Sequence, residues 1–106
     1  MPTYLVKGNY VGSGVAGLLK DGGSSRRDAA SAAVASVGGT LREMHYAFGD
    51  TDVYALADFP DEASATACSL LINASGAVQI TLTPLMTPED LDAAAQKSPS
   101  YTPPGS

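Results

Sequence analysis

Apolar and polar positions along the chain change period several times, and the changes mark out its elements. Thr3 to Tyr10 (TYLVKGNY) is rich in β-branched and aromatic residues and predicts a first strand with a buried centre. Gly12-Ser13-Gly14 follows, and Ser13 can cap a helix whose apolar stripe is Val15, Leu18 and Leu19. Asp21-Gly22-Gly23 interrupts that stripe. A second helical run starts at Ser24 or Ser25 and carries Ala29, Ala30, Ala33, Val34 and Val37 at three- and four-residue spacing, up to Gly38-Gly39. Each glycine inside a helix costs about 1 kcal/mol relative to alanine, so the pair predicts a first helix broken or kinked at Gly22-Gly23.

Thr40 to Phe48 (TLREMHYAF) alternates as a strand, with Met44, Tyr46 and Phe48 on one face and Leu41, Glu43, His45 and Ala47 on the other. Gly49-Asp50-Thr51 makes a turn, and Asp52 to Phe59 (DVYALADF) predicts a nearly all-apolar strand covered on both faces. The two strands form a hairpin. Pro60-Asp61-Glu62 then opens a helix with proline in its first turn, running to about Ala74 and ended by Gly76. Val78, Ile80 and Leu82 alternate with Gln79 and Thr81 as a half-buried strand. Thr87-Pro88-Glu89-Asp90 caps one more short helix, ending near Gln96. Residues 98–106 (SPSYTPPGS) read as a Pro/Ser-rich flexible tail behind a single domain over residues 1–97.

The order β-α-β-β-α-β, joined by right-handed crossovers, gives an α+β fold of the ferredoxin-like type. It has a four-stranded antiparallel sheet with both helices on one face. The other face is left open. A second sheet is expected to cover it, so the chain is expected to act as a homo-oligomer, a dimer or a multiple of dimers.

Composition narrows the function. A chain of 106 residues holds one core. Its net charge of -5 argues against nucleic acid and against an anionic membrane surface. Arg26-Arg27 is the one adjacent basic pair and reads most simply as a solvated helix face. A single cysteine, Cys68, allows no internal disulfide and no thiolate metal cluster. No run has the apolar length that spans a bilayer, and no secretory leader pattern opens the sequence, so a cytoplasmic location is expected. One histidine, one cysteine and dispersed acids supply no metal site, and no spacing calls for a cofactor.

Several segments together resemble the GYD-domain family. They are the opening PTYLVKGNY, Gly22-Gly23 with Arg26, Gly38-Gly39-Thr40-Leu41, Phe48-Gly49 with Asp52, Pro60-Asp61, Asn73-Ala74-Ser75-Gly76, and Thr81-Leu82-Thr83-Pro84-Leu85. The similarity spans roughly Pro2 to Pro88. Thr51 stands where the name-giving Gly-x-Tyr-Asp pattern has tyrosine. The resemblance implies a ferredoxin-like protomer whose sheet packs on a partner's sheet, a dimeric α+β barrel, and brings no established reaction.

His45 is the one side chain with an unperturbed pKa near neutrality, and Glu43 shares its strand face. With Asp52 they are the candidate catalytic residues, for proton transfer without metal or prosthetic group. Asp52 also has a plainer role, accepting backbone N–H bonds at the turn. Lys7, Tyr46 and Arg26 are the candidate ligand-binding residues. Lys7 can pair with Glu43, meet a ligand carboxylate or extend to water along its apolar stem, and the strand tyrosines can line a pocket between sheet and helices. Cys68 reads as a small buried hydrophobe. Three functions remain open: a domain binding a small molecule between helices and sheet, a cofactor-independent monooxygenase- or isomerase-like enzyme using His45, and a structural component of an assembly.

Overall fold

In the computed structural model, which describes residues 1–105, eight elements follow one another. They are β1 (Thr3–Tyr10), α1 (Ser13–Asp21), α2 (Gly23–Ser36), β2 (Thr40–Tyr46), β3 (Val53–Asp58), α3 (Glu62–Ala74), β4 (Val78–Leu85) and α4 (Pro88–Ala95). The strands form one antiparallel sheet in the order β2-β3-β1-β4. This is the expected ferredoxin-like α+β arrangement, with the central strands β1 and β3 flanked by the hairpin partner β2 and the edge strand β4.

Strand parity sorts the side chains between two faces. On the helix side Tyr4, Val6 and Gly8 of β1 lie opposite Ala57, Ala55 and Val53 of β3, and opposite Pro84, Leu82 and Ile80 of β4. The core forms there from Tyr4, Val34, Ala57, Phe59, Ala65 and Cys68. The Tyr4 and Phe59 rings meet edge to face, 5.6 Å between centroids. The opposite phase, with Leu5, Lys7, Tyr54 and Leu56, faces away from the helices.

Four local expectations are corrected. In β2, Leu41 pairs with Ala57 and Glu43 with Leu56, so Arg42 is an extra residue in the ladder. That bulge reverses parity and turns Leu41 to the helix side, where it packs on the core instead of sharing a face with Glu43 and His45. In β3 only Val53, Ala55 and Ala57 are buried, while Tyr54 on the other face stays exposed, so the single chain covers the strand on one side. At α1 the cap residue is Gly12, with no side-chain cap, and Ser13 is already helical. Val15 and Leu19 point to solvent; the buried residue is Gly14. At α3 the cap is Asp61, whose Oδ1 accepts the Ser64 N–H at 2.8 Å, and Pro60 lies ahead of it.

The break between α1 and α2 falls where the glycine pair placed it. Gly22 has φ of 83°, and its N–H closes α1 on the Leu18 carbonyl at 2.8 Å. At the other end of the chain α4 is well capped: Thr87 Oγ1 accepts the Asp90 N–H, and the Asp90 carboxylate accepts the Thr87 N–H, both at 3.1 Å. Yet no residue of α4 is buried. The Cα radius of gyration is 17.1 Å, against about 13 Å for a compact chain of this length, and the longest extent is 58 Å. Residues 96–105 add no helix or strand. Ser106, the last residue of the tail read from the sequence, lies outside the described residues.

Candidate functional site

Small residues on the helices leave a hollow over the inner face of the sheet. Strands contribute Val6, Met44, Val53, Ala55, Ile80 and Leu82 as its floor. Helix α2 contributes Ala29, Ala30 and Ala33, which are too short to fill the gap between layers, and α3 contributes Ala65, Cys68 and Ile72. The chamber they enclose has a volume of about 130 Å³. Close packing is the rule in protein interiors, and a space of this size inside a chain of 106 residues is a departure from it.

The chamber has one polar end. Arg26, on α2, and Tyr10, at the end of β1, line it there. Arg26 and Tyr10 also line a wider groove under α1, together with Leu18, Asp21, Leu71 and Ser75, so the two spaces adjoin along these residues. Arg26 is half-buried, and the ion pairs among the described residues, Arg42 with Asp58 and His45 with Glu43, leave its guanidinium without a carboxylate. Tyr10 and Tyr46 bring their hydroxyls to 3.2 Å. Burial, then the hydrogen bond and the charge of Tyr10, hold the Tyr46 phenol well above its ordinary pKa, and the nearby Arg26 charge only partly offsets them.

An aromatic stack extends this end toward solvent. The Tyr10 and Tyr46 rings lie 6.3 Å apart, and Tyr46 and Phe48 lie 5.7 Å apart and nearly parallel, at 5°. Phe48 is the one non-glycine residue at positive φ among those described, 54°, and its ring is exposed. A non-glycine residue in this region carries a backbone cost, and here the Phe48 ring lies stacked on Tyr46. Gly23 sits so close to Tyr46 that a Cβ there would approach the ring to 3.2 Å.

The candidate residues read from the sequence divide between the two faces of the sheet. Arg26 lines the chamber, and Tyr46 supports its rim through Tyr10. His45, Glu43 and Lys7 stand on the opposite, open face. There His45 lies in register with Tyr54, Lys7 and Thr81, one strand after another. His45 Nε2 is 3.2 Å from Glu43 Oε1, with both side chains more than half exposed. Lys7 does not pair with Glu43, which is engaged by His45, and its side chain is exposed beside a shallow polar hollow that Asn9, Gln79 and Thr81 share. His45 lines neither that hollow nor the chamber nor the groove.

Asp52 is bound into the backbone. Its Oδ2 accepts the Tyr10 N–H at 2.9 Å, while its own N–H donates to the Gly8 carbonyl and to Asn9 Oδ1. That network clips the β2–β3 turn onto the end of β1, the structural role open to a turn aspartate. Thr51 beside it is buried. Cys68 is buried against the chamber, and desolvation raises its thiol pKa, which keeps it protonated and unreactive at neutral pH. Of the strand tyrosines that sequence reading offered as pocket lining, Tyr10 lines the chamber and Tyr54 lies exposed on the other face, while the alanines were not read as its walls. The signal was there in Ala29, Ala30 and Ala33 on one helical face, a stripe too small to fill a core.

Among the described residues no helix is long and apolar enough to cross a membrane, and no three His, Cys, Asp or Glu side chains cluster as metal ligands. One antiparallel sheet in the order β2-β3-β1-β4, with α2 and α3 packed on a single face and an apolar hollow between the layers, defines a ferredoxin-like α+β domain. The model of the GYD domain family matches residues 4–95, and the chain belongs to that family. No curated protein and no solved structure gave a match.

Proposed function

We propose that this GYD domain binds a small, largely apolar molecule between its helices and its sheet. The observation that carries this reading is the chamber of about 130 Å³ with apolar walls from four strands and two helices. A dry apolar cavity of about 150 Å³ is enough to take benzene. The ligand is therefore about one ring in size. Toluene added to the isotopically labelled protein should shift the methyl NMR signals of Met44, Ile72 and Ile80 and leave those of exposed Leu19 and Leu70 in place. Unshifted chamber methyls at saturating toluene would sink the reading.

The enzymatic alternative needs a substrate to reach His45. With His45 exposed on the far face and outside every hollow described above, the binding reading has the better support. Self-association is a second part of the proposal. Leu5, Leu56 and Tyr54 form an apolar patch at the centre of the open face, and α4 holds Leu91 in solvent with Met86 just before it. An eight-residue helix is marginal by itself in water, so a neighbouring surface favours it. Native mass spectrometry should find a dimer or a multiple of it, whereas monomer alone at micromolar concentration would refute this part.

A further inference from the structure

The chamber's polar end carries an unmatched positive charge. A half-buried guanidinium usually sits beside a carboxylate, because partial desolvation of a charge is costly without a partner. Arg26 has none within ion-pair distance among the described residues, although it lies where the chamber meets the groove under α1. The same end of the site holds a spare donor. Two phenols carry two protons; one lies between the oxygens of Tyr10 and Tyr46, and the other is free to donate outward. In the arrangement in which Tyr46 donates, Tyr10 keeps its own O–H for the chamber, which Tyr10 lines and Tyr46 does not. Helix α2 starts at this end as well, on Gly22, with no side-chain cap and no acid in its first turn.

Resting on the binding reading above, we propose that the occupant is a small monocarboxylic acid. Its apolar part lies among the chamber side chains, and its carboxylate is received by the Arg26 guanidinium and the Tyr10 hydroxyl. Guanidinium and carboxylate match in charge and in planar, two-pronged geometry. The volume limits the apolar part to about one aromatic ring or an equally small alkyl group. Asp21, which lines the outer groove with Arg26, disfavours a second negative charge on the side facing solvent. That selects a monocarboxylate over a dicarboxylate.

Three probes of nearly equal size test the assignment: benzoate, benzamide and toluene, each titrated into the full chain at neutral pH and followed by the chamber methyl signals. Wild type should bind benzoate about tenfold or more tightly than benzamide or toluene. Arg26→Gln should remove that preference while changing toluene affinity less than about twofold, and Arg26→Lys should restore part of it. Equal affinity of wild type for benzoate and toluene would overturn the carboxylate assignment, as would an unchanged benzoate affinity in Arg26→Gln. If Arg26→Gln does not fold, the wild-type comparison of benzoate with benzamide decides alone. Toluene binding without a benzoate preference refutes this inference and spares the binding reading; absence of binding by all three refutes both.

Discussion

Helix α1 offers two glycines at which one substitution should have opposite effects. At Gly14 an added Cβ would lie 1.8 Å from the Ala77 carbonyl oxygen and 2.7 Å from its carbon. A carbon–oxygen contact needs roughly 3.3 Å, so helix and loop must part by about 1.5 Å. The obstacle is backbone, and no rotamer relieves it. The Ala77 carbonyl also accepts the Val11 N–H at 3.1 Å, and Gly14 N–H bonds the Val11 carbonyl at 2.8 Å, so the displacement strains both bonds that seat the helix. Overpacking of this kind costs about 1–3 kcal/mol. At Gly17, one turn further on, a Cβ meets nothing within 4 Å, and alanine gains up to about 1 kcal/mol of helix propensity. The two variants should therefore differ by about 1–4 kcal/mol in urea unfolding at equal protein concentration. At about 4 °C per kcal/mol that is about 4–16 °C in Tm, Gly17→Ala lying above wild type and Gly14→Ala below. If Gly14→Ala unfolds with Gly17→Ala, the close approach of α1 to Ala77 is not a feature of the folded chain and the reasoning fails.

Asp61 gives a pH dependence with a definite sign. Its hydrogen bonds to Ser64 lower its pKa in the folded chain, so its contribution is fully present above the unfolded value of about 3.9 and is lost as pH falls through the folded value. Asp61→Asn keeps a capping oxygen but not the charge, and its unfolding midpoint should fall less steeply than wild type between about pH 5 and pH 3; parallel curves would contradict this. Asn73 clamps the outer edge of β4, its Oδ1 accepting the Ile80 N–H at 2.7 Å and its amide donating to the Ile80 carbonyl at 3.3 Å. Asn73→Ala should cost about 1–2 kcal/mol, and hydrogen exchange at the Ile80 amide should accelerate; an Ile80 amide protected as in wild type would show the clamp to be idle. Phe59, 1% exposed and packed on Tyr4, should cost about 3–5 kcal/mol as Phe59→Ala in the same denaturation assay, and a loss under 1 kcal/mol would remove it from the core.

The fold was legible because its signals are local. Strand β1 falls on the stretch from Thr3 to Tyr10, the glycine pair marks the helix break, and the Thr87 cap with Pro88 begins α4. What escaped depends on contacts distant in sequence. Leu41 changed faces because one residue of β2 finds no partner in β3, a fact about pairing that alternation within β2 does not contain. Strand β3 read as doubly covered because Ala and Leu are apolar whichever face they occupy, whereas only its pairing with β1 shows which face meets the helices. At the site, Arg26 read both as half of a solvated pair and as a ligand-binding candidate, and the placement of α2 over the sheet makes it line the chamber with Tyr10. His45 and Glu43 were read correctly as neighbours, and the structure adds that they look away from the chamber.

The bulge at Arg42 makes strand β2 a sentence with a change of phase in the middle. Positions before it and after it follow the same inside-outside rule with opposite counting, and one residue is all that separates them. Deleting Arg42 would close the bulge, make Leu41 and Glu43 consecutive partners of Ala57 and Leu56, and keep Leu41 on the core side, with loss only of the Arg42 contact to Asp58 at 3.7 Å. A deletion at an exposed turn such as Gly49 leaves that phase untouched. The strand can thus lose one residue at the bulge and keep both faces, whereas loss of a second would reverse every position before it, and relatives aligned without a gap across this strand should keep the bulge or exchange the polarity of positions 40 and 41 together.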